Sequence, residues 1–403
     1  MRIGFIWQCV YPWDVRLEKL LDACVEGGHS VCLVSKGRRD LAKEETVRNA
    51  DVVRVMPESQ RLQGLAAKLY TYPLFFNPTW RSEVLKTFKK NNVDLIIVRD
   101  LPLGMLATWV GEKLKVPVIM DMAENYPAAL MAYQNPVYKP FLFGNAWLPK
   151  KYEMQVVRKL AHVFVVAEEQ RQRLIKAGAD SAKLTLIGNT PVDSFIRSTA
   201  SSNGHHVNGR AAKPNAIDLL YVGKIDVHRG VDLMIRALPG LQQEFPELRL
   251  TLVGDGKSAA GLAQLAKDLG VADKVNFPGW VDWTGISGFI RKSTVCLIPH
   301  RRSEHTDTTL PNKLFDYMAL SKPVIASDCE PLRRIIAQEN CGLVFKSGDV
   351  ESLQNSVRTM LRDPELDQKG SNGRRAIEQR YNWTLDKTKL LDTIRRFGES
   401  GRA

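Results

Sequence analysis

Lys224 and Arg229 stand five residues apart in YVGKIDVHRGVDLMIRAL (221–238), where a strand-like run gives way to a glycine-bounded turn and then a helical pattern. Two cations beside a helix N-terminus suit a diphosphate, because backbone N–H groups and a guanidinium both donate to phosphate oxygens. Gly223 would end the strand tightly, and Gly230 would let the backbone approach a ligand. A solvated basic turn is the plainer account. A second segment, TDTTLPNKLFDYMALSKPVIAS (306–327), raises a related question. Pro311 suits the first turn of a helix, and Leu314, Tyr317 and Met318 mark its buried stripe. Lys313 and Asp316 fall off that stripe, which allows an i,i+3 ion pair on a wet face. Alternatively, free N–H groups near Leu310, Pro311 and Asn312 meet a phosphate while Asp316 accepts from ribose hydroxyls. Lys313 is then a surface cation or a second phosphate contact.

Other patterns compete. Gly254, Gly256 and Ala259 in TLVGDGKSA (251–259) match G-x-G-x-x-A between a strand and a helix, a dinucleotide signature. That signature normally opens its domain, whereas here it follows the second strand, and no ribose-binding acid appears at the expected offset. His205 and His206 lack carboxylate or cysteine companions, so an exposed loop is the better account than a metal site. No D-x-D triplet occurs anywhere in the chain. Such a carboxylate pair usually holds a divalent ion against a diphosphate. No metal and no other cofactor is therefore expected.

These residues need a scaffold, and the apolar rhythm supplies one. RIGFIW, SVCLVS, DLIIVRD, VPVIMDM, HVFVVA and LTLIGN read as strands in the first half, DLLYVG, LRLTLVG, KVNFPG, VCLIP, PVIAS and CGLVF in the second. Continuous rather than alternating apolarity indicates burial on both faces, as in a parallel sheet. Helical runs such as DVRLEKLLDACVEGG and AGLAQLAKDLG lie between them. The reading is α/β: two doubly wound Rossmann-like domains facing a cleft. The domains are placed at 1–195 and 215–380, with a Ser/Asn/Gly-rich linker at 196–214. A C-terminal helix at 381–403 is expected to pack back on the first domain.

The 403 residues suit two domains. Basic residues outnumber acidic ones by 57 to 44, for a net charge of +13. The excess is spread evenly: 27 against 20 in residues 1–195, and 30 against 24 beyond. It fits an anionic small ligand or an anionic membrane surface, and no nucleic-acid motif accompanies it. The six cysteines follow no regular spacing and read as free thiols in a reducing compartment. The N-terminus shows no signal-peptide pattern and no run of eighteen uncharged apolar residues occurs, so a cytoplasmic protein is expected. Residues 68–90 and 133–151 combine aromatics with lysines, the chemistry of a membrane-interfacial segment. Packing of the rings into the first domain is an equal alternative.

Taken as a series, the basic turn at 223–230, VGDGK, VNFPGWV (275–281), LPNKLFDYMALSKPVIAS and CGLVFKSGD (341–349) resemble the retaining sugar-nucleotide glycosyltransferases of family 4, with the GT-B fold. YPWDVRLEKLLDACVEGGHSV (11–31) and DMAENYP (121–127) extend the resemblance over nearly the whole chain. It implies that the second domain holds a nucleotide-sugar donor, a UDP-sugar or close relative, through Gly223, Gly254 and the 308–316 segment. The first domain faces the acceptor. Lys224 and Arg229 match the cations that clamp the diphosphate, in the reverse of the family's commoner Arg-then-Lys order, and Glu124 joins them as a catalytic candidate. The base would rest near Trp280 and Val281, although Trp280 also fits a packing role. The family's paired glutamates fall on Thr308 and Asp316, so the carboxylate toward the donor sugar is missing; Glu304 is a nearby substitute, although a surface charge is the better account of it. Many relatives carry a histidine at Ala123, where Asn125 is the available replacement.

The implied reaction is retaining transfer of a hexosyl or N-acetylhexosaminyl group to a lipid-linked or glycan acceptor. The setting would be cell-surface polysaccharide or lipopolysaccharide synthesis at the inner face of a membrane. A sugar-nucleotide epimerase of the same fold and a non-catalytic nucleotide- or sugar-binding protein are the alternatives.

Overall fold

The computed structural model describes residues 1–12, 14–56, 77–132, 147–200 and 217–400. Most of the 196–214 linker, together with residues 68–76 and 133–146 of the aromatic–basic segments, lies outside them. The linker's first residues are described and are helical: Asp193–Ala200 forms a helix with Phe195 and Ile196 buried. The chain divides into two compact units, Met1–Ile187 with Asp386–Ala403, and Gly188–Leu385.

In the first unit, eight strands form one sheet: β1 (Arg2–Val10), β2 (Ser30–Lys36), β3 (Glu44–Val47), β4 (Ala50–Val55), β5 (Leu95–Arg99), β6 (Val118–Met122), β7 (His162–Val165) and β8 (Leu184–Leu186). Their order is β3-β4-β2-β1-β5-β6-β7-β8, and only β3 runs antiparallel to its neighbour. Every residue of β5 and β6 is buried, as continuous apolar runs require of a sheet covered on both faces. The β3–β4 hairpin has no counterpart in the sequence reading. EETV is exposed along most of its length and carries no apolar run. It pairs because Arg48 and Asn49, at φ 51° and 62°, make the left-handed two-residue turn that matches strand twist. Trp80 and Phe88, in the helix Pro78–Lys90, are fully buried against this sheet. Burial of that kind stabilises by roughly 1.5–3 kcal/mol per large side chain, and it assigns these two rings of the 68–90 segment to the core.

The second unit holds β9 (Ile217–Val222), β10 (Leu248–Val253), β11 (Val275–Gly279), β12 (Val295–Ile298), β13 (Val324–Ser327) and β14 (Gly342–Phe345). The order β11-β10-β9-β12-β13-β14 is parallel throughout. This order reverses at β9/β12, so the loops after these two strands diverge and leave a crevice at their C-terminal ends. In the first unit the equivalent reversal is at β1/β5.

Candidate active site

The loops after β9 and β12 bring together most of the residues singled out in the second half. Arg229 ends a one-turn 3-10 helix, Val227–Arg229, and Gly230 opens the helix Val231–Gln242. A β carbon at Gly230 would lie 2.0 Å from the Pro299 carbonyl. The close approach made possible there is thus to the loop after β12. Arg301 secures the same junction: its backbone N–H donates to the His228 carbonyl, and its guanidinium holds both oxygens of Asp232 at 2.8 and 3.0 Å. Gly254, at φ 138°, allows the loop after β10 to pack on the Gly223 carbonyl, which a β carbon would meet at 2.0 Å. Two glycines of the dinucleotide-like signature therefore have a packing role, since Gly256 meets the Ile225 carbonyl in the same way.

His300, the residue that follows the β12 run by two positions, is buried and faces Arg229, with Nη1 to Nε2 at 3.3 Å. Burial holds its imidazole well below the usual histidine range, helped by Arg229, Lys313, His228 and His305. The neutral ring keeps a lone pair that the guanidinium can use. His228 is lowered to about 4, by burial first and Arg229 second. The sequence reading missed both histidines. The available signal was position, at the C-terminal edge of parallel strands, where ligands bind.

Pro311 proves to be the residue before the helix Asn312–Ala319 rather than within its first turn, and no side chain caps that helix. Asp316 is buried, along with Leu314, Phe315, Tyr317 and Met318, so it does not stand on a wet face, and the Lys313 ammonium lies over the Tyr221 ring. The Tyr317 hydroxyl accepts from the Val222 N–H at 2.9 Å, which fixes the helix against the end of β9. The Leu310 carbonyl accepts from Asn189. Thr308 is buried, and its hydroxyl donates to the carbonyls of Glu304 (2.8 Å) and His305 (3.2 Å), holding its own turn. Glu304 is exposed. Trp280 is 75% exposed, and Val281 is partly buried beside it.

In the first unit, the loops after β1 and β5 build a second charged cluster. Asp121 is fully buried and receives Arg16 at 2.5 to 3.1 Å and Arg99 at 2.8 Å. Burial would raise its carboxyl, but the two guanidiniums win and hold it below the usual carboxylate range. Asp14 caps the helix Val15–Glu26 through Leu17 N–H and lies 3.4 Å from Arg99. Asp100 sits in the left-handed region at φ 65°, buried, accepting from the Ala123 N–H at 3.0 Å. Its pKa is raised to about 7, by burial first, with Asp121 and Glu124 adding to it against Arg99. Glu124 is partly buried beside this cluster. Asn125 is buried, and its side-chain oxygen accepts from the Ala128 N–H at the start of the helix Tyr126–Ala132. Arg16, Arg99 and Asp100 were not among the sequence candidates.

Among the described residues no group of three or more His, Cys, Asp or Glu is arranged to hold a metal ion, and no helix is long and apolar enough to cross a membrane.

Residues 206–376 match the family described as "Glycosyl transferases group 1", and residues 14–190 match "Glycosyl transferase 4-like domain". A phosphatidyl-myo-inositol mannosyltransferase from Mycobacterium leprae is 22% identical over 409 aligned positions, covering 100% of this chain and 98% of the relative. Among solved structures, sucrose-phosphate synthase from Thermosynechococcus elongatus superposes with a TM-score of 0.76 at 17% identity, over 99% of both chains. HepE from Anabaena, in complex with UDP, gives 0.73 at 15% identity, over 98% of this chain and 100% of that one. Family matches to both halves, on two parallel sheets with this strand order, place the chain among the GT-B glycosyltransferases of the family 4 type.

Proposed function

We propose that the protein transfers a sugar, with retention, from a UDP-sugar or a close relative to a lipid-linked acceptor of cell-surface glycan synthesis. The observation that carries the donor half is the cationic crevice of the second unit. Arg229, Lys313 and the histidines gather at the β9/β12 switch point, and Asp316, in the same helix as Lys313, is buried. Asp316 holds the ribose, the uncapped helix start and the cations receive the diphosphate, and Trp280 lies open for a base. HepE, whose structure contains UDP, supports the choice of nucleotide.

In this reading the C1–O bond of the donor breaks with its electron pair leaving on the β-phosphate oxygen. The acceptor hydroxyl attacks C1 from the same face and gives its proton to that oxygen. The cations stabilise the charge developing on the leaving group, an electrostatic role. Thr308 supplies no carboxylate to the donor sugar, and Ala123 supplies no imidazole. Asp100 and Glu124 are the carboxyl groups of the first unit that serve the acceptor side. The clamp is made of side-chain cations, so turnover is expected to persist in EDTA; complete loss restored by magnesium would overturn that part.

Membrane contact rests on the start of the helix Trp147–Lys159. Trp147 and Leu148 are 57% and 50% exposed, and the Lys151 ammonium lies 4.9 Å from the Trp147 ring. A ring at headgroup depth with lysines beside it suits an anionic surface. Flotation with anionic vesicles at low salt should carry the protein, and its absence would remove the lipid from the proposal. The donor is tested by thermal shift in EDTA with UDP, GDP and NAD. A UDP or GDP shift that disappears in Asp316→Ala and Arg229→Ala is the expected result, whereas a shift with NAD alone would overturn the reading.

A further inference from the structure

The two cations that the sequence sets five residues apart have different partners in the fold. Lys224 is 65% exposed and pairs with Asp226 at 2.9 Å. Lys313, 89 residues further along the chain, reaches the same crevice, where its charge and that of Arg229 both act on the His300 ring. Its ammonium lies 3.8 Å from the centroid of the Tyr221 ring. It also covers Gly223, where a β carbon would come within 2.6 Å of Nζ. The platform is fixed: Tyr221 is fully buried and its hydroxyl donates to the Lys224 carbonyl at 2.7 Å. Tyr317, one turn beyond Lys313, is tied to Val222. Next to it, Arg229 keeps a buried Nε without a protein partner among the described residues.

We propose that the Lys313 ammonium and Arg229 form the working clamp on the donor diphosphate, with Lys224 at its margin. The inference rests on the donor reading above and names the group that completes it. Burial first, and the Arg229 charge second, hold the Lys313 amine well below the usual lysine range. Asp316 opposes this only in part. A diphosphate between the two cations removes the conflict, because each then acquires an anionic partner. Lys224 already has one in Asp226. Gly223 acquires a specific role: the absence of a side chain there makes room for the ammonium.

The test is calorimetric titration of the full chain with UDP and with UMP. Lys313→Met should cost roughly 30-fold in UDP affinity, the size of one lost charge-assisted hydrogen bond, and much less for UMP, which lacks the β-phosphate. Lys224→Met should cost less than Lys313→Met for UDP. The unfolding midpoint of ligand-free Lys313→Met should not fall, since a repelled cation has been removed. Gly223→Ala, which drives a methyl group into the ammonium, should reproduce the selective loss of UDP if Lys313→Met fails to fold. A larger loss at Lys224 than at Lys313, or equal losses for UDP and UMP at Lys313, would overturn the inference while leaving the donor reading intact. Wild-type protein that binds neither UDP nor GDP would overturn both.

Discussion

The two units place charge at the same topological position, the reversal of a parallel sheet, and treat it in opposite ways. At β1/β5, Arg16 and Arg99 close on Asp121, and Asp14 caps a helix beside them. At β9/β12, Arg229 rests on a neutral histidine and Lys313 on a tyrosine ring. Acids answer the first pair of cations within the protein. The second pair is supported by neutral groups, which keeps it available to an anion from solution. A buried ion pair whose partners are all internal holds the fold, and cations without such partners store binding energy for a ligand at some cost in stability.

Removing one charge from each site should therefore have opposite consequences. Arg16→Met leaves Asp121 buried with one counter-ion fewer and should destabilise the first unit by about 3–5 kcal/mol, read as a lower denaturant midpoint. A change below the error of the titration would mean that Arg99 alone suffices. Arg229→Met should leave the ligand-free unfolding midpoint unchanged or higher, while sugar transfer falls about 100-fold, roughly 2.7 kcal/mol of lost stabilisation of the leaving group. Loss of folding instead would show that Arg229 is a structural cation like Arg16.

A pH-dependent effect is expected at Asp100, whose carboxyl is raised to about 7, above the usual carboxylate range. A raised carboxyl stabilises fully only below the unfolded pKa, and that contribution is lost as pH rises through about 7. Asp100→Asn should accordingly stabilise the protein at pH 8 and change its stability little near pH 4. Asparagine tolerates the left-handed backbone and can still accept from Ala123. A gain that does not depend on pH would show that ionisation of Asp100 is not what the fold resists.

The sheets were legible because burial on both faces demands continuous apolar runs, and RIGFIW, DLIIVRD, VCLIP and PVIAS each became a strand. The β3–β4 hairpin was not legible, since EETV is an exposed edge strand and its turn, Arg48–Asn49, lacks the usual glycine. The 306–327 segment was located by its order of motifs, yet its burial was not. Asp316 reads as one face of a wet helix and is in fact enclosed, because the helix is covered on nearly all sides.

What the sequence determined by itself was the class of the molecule and the segments that carry its chemistry, since strand runs, glycine turns and basic residues are local properties. Which side chains gather at the β9/β12 switch point was decided only by the tertiary structure. Lys224 and Arg229 are neighbours in the chain, but a strand end, a one-turn helix and Asp226 keep Lys224 in solvent. Lys313 reaches the Tyr221 ring because β12 returns beside β9 and the helix that follows is fastened there by Tyr317. Contact between Tyr221 and Lys313 depends on strand order, and no spacing rule within one segment contains it.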